Sequence, residues 1–379
     1  MIKKKVTILV PSLVGHGMER MAVLAAETLC EQYEVQIVLF TKNNLFYKTE
    51  IPIYALNLPS QGGLKKISQL IKRIIKFNRY KKVFFPDIVI SFGTSANLVN
   101  VFSNKIGNKI ISFRGFATVK KGIMFNYSCR IADGIVCISE EMKHELILLL
   151  PKVKDKTYTI YNGIDGDFIE KIKDEEISFA PAHPAFVSVG RLEKVKGYSQ
   201  LINSFVYVLQ SIPSATLNFV GSGSELENLK TLAHNLGIAS NVNFLGAQTN
   251  PYSYISKCDI CVQTSLTEGF MNVLIESGFC RVPVISTACK TGPKEIISGE
   301  FEQEVTNMKI CKYGILVPKF SSDEAAEESK RKLLAQAMIY LAKNKNLQIQ
   351  LGEALNRRSQ DFSLKKYSEQ INLLVSRFI

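Results

Sequence analysis

The sequence predicts an α/β protein made of two Rossmann-like domains, and three observations carry that expectation. First, 379 residues exceed what one hydrophobic core usually holds, so two domains are the default. Second, short apolar runs alternate with helix-length segments along the whole chain, as they do where helices cover a parallel sheet. Third, these runs fall into two series separated by a polar, turn-rich stretch closed by prolines, "NGIDGDFIEKIKDEEISFAPAHP".

In the first series "VTILVPSL", "EVQIVLF", "DIVISF", "KIISF", "GIVCIS" and "KTYTIYNG" read as buried strands. In the second, "AFVSVGRL", "ATLNFVGSG", "NVNFLG", "ICVQTS", "VPVIST" and "YGILVP" do the same. The last fifty residues carry helical periodicity in successive blocks and supply the closing helices.

Composition and charge narrow the function. The net charge is +13, and it is lopsided: residues 1–165 hold 24 Lys+Arg against 12 Asp+Glu, the remainder 23 against 22. A first half this basic points to an anionic partner surface. No apolar run approaches the roughly 20 residues that cross a bilayer, so any membrane contact is expected to be peripheral. The start, "MIKKKVTILVPSL", is too short in its apolar part for an export signal and reads as the first strand. Among eight Cys only Cys258 and Cys261 form a C-x-x-C, without a second pair or a nearby His, so buried packing is expected rather than zinc or disulfide chemistry. A reduced cytoplasmic setting follows.

Several stretches have the residue types for handling an anionic ligand. "PSLVGHGMERM" passes from the first strand through Gly15, His16 and Gly17 into a helix, a turn in which backbone N–H groups can approach an anion. "GRLEKVKG" follows another strand and sets Arg191 and Lys196 five apart, a guanidinium fork and a mobile point charge suited to a diphosphate, although a solvated basic loop explains an isolated pair as well. In "TEGFMNVLIES" the pattern predicts a helix from Thr267 or Glu268 through Glu276. That would put its two carboxylates about 12 Å apart along the axis. One would then meet sugar hydroxyls at the helix start and the other a ribose, with a merely acidic solvated helix as the plain alternative. "DGD" at 165–167 imitates a metal-binding D-x-D but reads as a turn. His144, His183 and His234 read as structural or exposed.

"GRLEKVKG", "EGFMNVLIE" and "STACKTGPKEII", in this order and spacing, resemble the retaining GT-B glycosyltransferases of family 4, especially bacterial enzymes of surface-polysaccharide assembly. "HGMER", "ADGIVCISEEM" and "YNGID" are similar to that family's N-domain and linker signatures. With that resemblance the chain divides into an acceptor-binding domain (1–165), a connector (166–183) and a nucleotide-sugar-binding domain (184–360). The resemblance also implies that the final helix, 361–379, returns to the N-terminal domain and that the two domains face a central cleft.

The resemblance implies a hexose or N-acetylhexosamine transferred from a nucleotide diphosphate sugar, UDP-linked, with anomeric configuration retained and without a metal or other cofactor. It places Arg191 and Lys196 on the donor diphosphate, Glu276 on ribose, and Gly190, Gly221 and Phe244 around the nucleoside. Glu268 and the backbone of Gly269, Phe270, Met271, Asn272 and Val273 would hold the transferred sugar and distal phosphate. Gly15, His16 and Gly17 would close on that phosphate, and Glu19 and Arg114 stand on the acceptor side. Catalysis is assigned to Glu268, Arg191 and Lys196. His16, Met271 and Ala288 depart from the family's usual Gly, Pro and Asp, and no side chain offers itself as a base. A nucleotide-sugar epimerase or hydrolase on the same scaffold, or a binding protein without turnover, are the competing readings.

"GLKKISQLIKRIIKFNRYKKVFF" carries eight Lys/Arg and no acid, and Leu64, Ile67, Ile71 and Ile74, with Leu70 and Ile75 alongside, are expected on one helical face. Lys65, Lys66, Lys72, Arg73, Lys76 and Arg79 are therefore expected on the inner face of the cell membrane, near a glycan or lipid-linked acceptor. Nucleic acid is not expected, because no recognised binding motif accompanies the charge.

Overall fold

A computed structural model describes residues 3–15, 17–42, 45–59, 65–115, 122–321 and 327–379. The chain separates into two compact units, residues 1–163 with 365–379, and residues 164–364.

The first unit holds seven parallel strands in the order β3-β2-β1-β4-β5-β6-β7. They are β1 (Lys5–Val10), β2 (Glu34–Leu39), β3 (Ile53–Ala55), β4 (Ile88–Phe92), β5 (Asn108–Phe113), β6 (Gly134–Cys137) and β7 (Thr157–Thr159). Between them run α1 (Gly17–Cys30), α2 (Lys65–Phe84), α3 (Thr94–Phe102), α4 (Ile123–Ile131) and α5 (Glu140–Leu149). The pleat divides the apolar strand residues between two cores. Val6, Ile8 and Val10 pack with Met21, Ala25 and Leu29 of α1 and with Tyr367, Ile371 and Leu374 of the last helix. Leu9, Val38 and Val89 pack instead with Phe77 and Tyr80 of α2 and Val99 of α3.

The second unit repeats the plan. Its order is β10-β9-β8-β11-β12-β14-β13. It begins with α6 (Gly166–Ile172), and its strands are β8 (Ala185–Val189), β9 (Thr216–Val220), β10 (Val242–Phe244), β11 (Ile260–Gln263), β12 (Val284–Thr287), β13 (Lys309–Cys311) and β14 (Gly314–Val317). Its further helices are α7 (Tyr198–Ser211), α8 (Leu226–Asn235), α9 (Tyr252–Ser256), α10 (Asn272–Phe279), α11 (Pro293–Ile297), α12 (Glu328–Lys343) and α13 (Lys345–Ser359). The last helix, α14 (Leu364–Ser376), packs into the first unit, where the Tyr367 hydroxyl donates 3.0 Å to the Met21 carbonyl. β13 alone runs antiparallel to its neighbour.

Three expectations change. Residues 166–183 are not a free connector: Asp165 caps α6 by accepting from the Phe168 N–H at 2.9 Å, and Ile169 is buried. A Cβ on Gly166 would stand 2.2 Å from the Phe279 ring, so α6 is pressed against α10. The same capping bond explains "DGD", whose first Asp serves a helix start. On the later crossing, Phe362 is buried against Phe270, which carries the second unit to Leu364.

The third change concerns α2. Its buried seam runs through Gln69, Arg73, Phe77, Tyr80 and Lys81, so the apolar residues are divided between two faces. Ile67, Ile71 and Ile75 point outward, whereas Leu70 and Ile74 pack on the core; Leu64 lies outside the described residues. Arg73 is not on the open surface: it lies over the Phe40 ring at 4.2 Å, and Nε and Nη2 donate to the Leu58 carbonyl at 3.1 and 2.9 Å. Burial pulls its pKa down. Lys76 is tied to the Leu56 carbonyl at 2.9 Å.

Two more cations sit beneath this layer. Lys81 donates to Ser103 Oγ (3.1 Å) and the Asn104 carbonyl (2.9 Å), and Lys109 of β5 donates to the carbonyls of Val101 (2.8 Å) and Ser103 (2.7 Å). The Lys109 ammonium therefore caps the negative end of α3, and that of Lys81 braces the turn that follows it. Burial, with repulsion from Lys109, brings the Lys81 pKa to about 7.

Candidate functional site

In each sheet the strand order reverses between two parallel neighbours, β1 and β4 in one and β8 and β11 in the other; the second sheet turns back again only at its antiparallel edge, β14-β13. Ligands of open α/β sheets bind outside the carboxyl ends of the strands at such a point. The two crevices carry different side chains.

Above β8, the loop 190–197 leads into α7, whose first residue follows Gly197 in the left-handed region at φ +66. The loop approaches the end of β9 so closely that a Cβ on Gly221 would stand 1.9 Å from the Gly190 carbonyl oxygen. Only glycine fits there. The Tyr198 hydroxyl lies directly beneath Gly190, 2.7 Å from where a Cβ would be, and burial raises its pKa so that it stays protonated. Phe244, at the end of β10, stacks on Phe219 at 5.2 Å.

Lys196 reaches from this loop to the end of β11, where Nζ meets Glu268 Oε1 at 2.6 Å. Ser265 Oγ donates to the same oxygen at 2.6 Å. The pair is largely shielded, with side chains 18% and 13% exposed, so its attraction is less screened than a surface pair's. Arg191 differs. It is 69% exposed and pairs with Glu193 at 2.7 Å, a surface contact that a better anion can replace at little cost.

Glu268 does not begin a helix. α10 starts at Asn272, and residues 268–271 form a turned loop in which the Asn272 N–H donates to the Phe270 carbonyl at 3.1 Å. The predicted helix fails because tertiary bonds claim the loop first: Glu268 gives its carboxylate to Lys196 and Ser265 and its carbonyl to Thr291 Oγ1 at 2.6 Å. The axial distance expected between Glu268 and Glu276 therefore does not apply. Glu276 is half-buried in the middle of α10, and Phe270, Met271 and Val273 turn their side chains into the protein. From Gly269 to Val273 it is mainly backbone that faces outward, with Asn272 half-exposed.

Sequence reasoning missed the hydroxyl groups that fix this geometry. Thr264 Oγ1 lies 3.0 Å from both the Lys196 and Gly197 carbonyls, and Thr287 Oγ1 donates to the Ser265 carbonyl at 2.9 Å. The signal was present in the strand ends "VQTS" and "VIST", which place hydroxyls where two parallel strands stop.

The β1/β4 crevice is arranged differently. Gly15 has φ +113, and its N–H donates 2.8 Å to Glu19, whose other oxygen accepts from Ser12 Oγ at 2.7 Å. Glu19 is buried, so it shapes this turn, and the Gly15 N–H is already occupied. Gly17 opens α1 with space around it, and His16 lies outside the described residues. Arg114, at the end of β5, donates to Asn162 Oδ1 at 3.0 Å and lies 4.8 Å over Phe92; burial pulls its pKa down and the neighbouring Tyr367 pushes it back.

Residues 15–168 match the family described as Glycosyltransferase Family 4, and residues 170–354 match that described as Glycosyl transferases group 1. An uncharacterized glycosyltransferase of Methanocaldococcus jannaschii is 28% identical over 357 residues, 85% of this chain and 87% of that protein. The N-acetylgalactosamine-N,N'-diacetylbacillosaminyl-diphospho-undecaprenol 4-alpha-N-acetylgalactosaminyltransferase of Campylobacter jejuni is 25% identical over 312 residues, 78% of this chain and 84% of that protein. Among solved structures, Anabaena HepE in complex with UDP and glucose has the same fold, with a TM-score of 0.74 at 19% identity over 99% of this chain and 100% of that one.

Proposed function

We infer that this chain, which belongs to the GT-B glycosyltransferases of family 4, moves a hexose or N-acetylhexosamine from a UDP-sugar to a glycan or lipid-linked acceptor with retention of anomeric configuration. The observation that carries this reading is the shielded Lys196–Glu268 pair at the β8/β11 reversal. Paired at 2.6 Å, the two groups neutralise each other. A nucleotide diphosphate sugar offers each a better partner: phosphate oxygens for Lys196 and sugar hydroxyls for Glu268.

Arg191 joins Lys196 on the diphosphate, since its surface pair with Glu193 leaves it free to turn. Glu276 takes the ribose hydroxyls, and the backbone of 269–273 takes the sugar and distal phosphate. The bond from the anomeric carbon to the diphosphate oxygen breaks while the acceptor oxygen bonds to the same face of that carbon, and the acceptor proton passes to a departing phosphate oxygen. Arg191 and Lys196 stabilise the growing negative charge, so the protein supplies positioning and electrostatics. No metal takes part in this reading.

Names of relatives support the acceptor class, since the Campylobacter enzyme's name specifies a diphospho-undecaprenol-linked glycan. A lipid-linked acceptor needs a chain that stays at a membrane. Among the described residues no helix is long and apolar enough to cross one. The outward face of α2 suits a peripheral contact with the inner face of the cell membrane, because Ile67, Ile71 and Ile75 are exposed beside Lys66, Lys72, Arg79 and Lys82.

Incubation with a panel of UDP-sugars, with and without a divalent-metal chelator, tests the reading by NMR of the released or transferred sugar. Chelator-resistant formation of the retained anomer from one donor is expected. Inversion, or release to water alone in the presence of competent lipid-linked acceptors, overturns it.

A further inference from the structure

Thr291 sits in the turn between β12 and α11 and is fully buried. Its φ is +64, the left-handed region that β-branched residues avoid. The next residue, Gly292, has φ +110, and a Cβ there would stand 3.1 Å from the Met271 nitrogen, so this turn lies hard against the loop 268–271. A glycine or asparagine takes such a backbone angle with little strain, so the left-handed angle by itself does not call for threonine.

What threonine adds is a hydroxyl. Thr291 Oγ1 lies 2.6 Å from the Glu268 carbonyl, the shorter of its two carbonyl contacts (that of Lys290 is at 2.8 Å), while the Glu268 carboxylate is held 2.6 Å from both Lys196 Nζ and Ser265 Oγ. Glu268 is thereby gripped at main chain and side chain. Strained residues persist where their surroundings over-determine them, and they gather at ligand clamps. Here the strained residue and the clamped loop are joined by one short hydrogen bond.

We propose that Thr291 is a positioning residue for the transferred sugar: its hydroxyl fixes the height of Glu268 and of the backbone of 269–272, and thereby sets which sugar hydroxyls the loop can meet. Thr291 acts through Glu268 and has no part in holding the nucleoside diphosphate, which is assigned to Arg191 and Lys196. The inference rests on the assignment of residues 268–273 to the donor sugar.

The experiment compares wild type, Thr291→Val, Thr291→Ser and Thr291→Gly for affinity toward UDP and for kcat and KM with UDP-glucose, UDP-galactose and their N-acetylated counterparts. Thr291→Val keeps the shape and loses the hydroxyl. It should bind UDP within about twofold of wild type, lose about tenfold or more in kcat/KM with the preferred sugar, and discriminate less between epimers. Thr291→Ser should restore most of the loss. Thr291→Gly takes the backbone angle without strain, so it stays informative if the valine variant does not fold, and it should show the same selective loss. Parallel loss of UDP and UDP-sugar binding would mark a purely structural residue and overturn the proposal. So would unchanged sugar kinetics in the valine and glycine variants, or a serine variant no better than valine. A wild type that binds neither UDP nor any UDP-sugar overturns the donor reading first, and the proposal falls with it.

Discussion

The crevices above β1/β4 and β8/β11 arise from the same order of each unit's first five strands, yet they hold their charged groups in different ways. In the second unit an acid and a base from two strand ends face each other, and on the proposed reading each is taken over by the donor. In the first, Glu19 is buried and committed to its own turn, while the surplus positive charge is carried largely by a helix on the flank. One fold thus supports two kinds of surface: one with opposed charges that suit a small anionic polyol, and one with a single sign of charge that suits an extended anionic boundary.

The largest effect should come from breaking the opposed pair. Glu268→Gln and Lys196→Ala are each expected to lower kcat/KM about 10²–10³-fold, as loss of a charge-stabilising donor does elsewhere. The expected outcome is read from steady-state kinetics with the accepted UDP-sugar, and circular dichroism should show an intact fold. Unchanged turnover in either variant would remove the second crevice from the chemistry.

Next comes the flank of the first unit. Reversing Lys72, Arg79 and Lys82 to Glu should weaken binding to vesicles containing anionic lipid by roughly 100-fold, at about 1 kcal/mol per basic residue, with little change on neutral vesicles. Arg73 sharpens the contrast. Because it is buried over Phe40 and bonded to the Leu58 carbonyl, Arg73→Ala should lower the stability of the first unit by about 1–3 kcal/mol. If it instead left stability unchanged and weakened vesicle binding as much as the surface reversals do, the burial of that side chain would be wrong.

Gly221→Ala attacks the second unit alone. A side chain pressed 1.9 Å from the Gly190 carbonyl, at φ +151, forces the two loops apart, and about 2–3 kcal/mol of destabilisation is expected in denaturant melts, with UDP-sugar affinity falling as well.

The smallest effect is a pH dependence. The Lys81 pKa falls from its ordinary 10.5 to about 7 in the folded chain, so between those values the unfolded chain binds more protons and stability rises with pH. The penalty for burying the charge is fully present below about pH 7 and is relieved as pH climbs toward 10.5. Lys81→Met should flatten that slope, at most about 1.4 kcal/mol per pH unit, in unfolding scans of the first unit. An unaltered slope would mean that the ammonium is better solvated than its burial suggests.

Much of this was readable in the chain. Apolar runs located twelve strands because strands buried on both faces show no competing pattern. β3 and β13 escaped: each is a three-residue edge strand without one fully buried residue, unlike the equally short β7 and β10, so no apolar run marks it. Glu268 and Lys196 could be singled out by residue type and spacing, but their mutual contact could not, because it spans 72 residues and depends on where β8 and β11 stop. Periodicity likewise misplaced the start of α10, since the Lys196 ammonium and the Thr291 hydroxyl that hold the loop open come from other strand ends. On α2, Arg73 looked like its neighbours because a sequence does not show which cation will find an aromatic ring and a carbonyl beneath it.

The central claim is that the donor sits at the β8/β11 reversal. Hydrogen–deuterium exchange with and without the accepted UDP-sugar tests it most directly. Protection should appear in residues 190–197 and 264–273, together with the first turn of α10, and should vanish in Lys196→Ala. Protection confined to other segments, with 190–197 and 264–273 exchanging as they do without ligand, would contradict it.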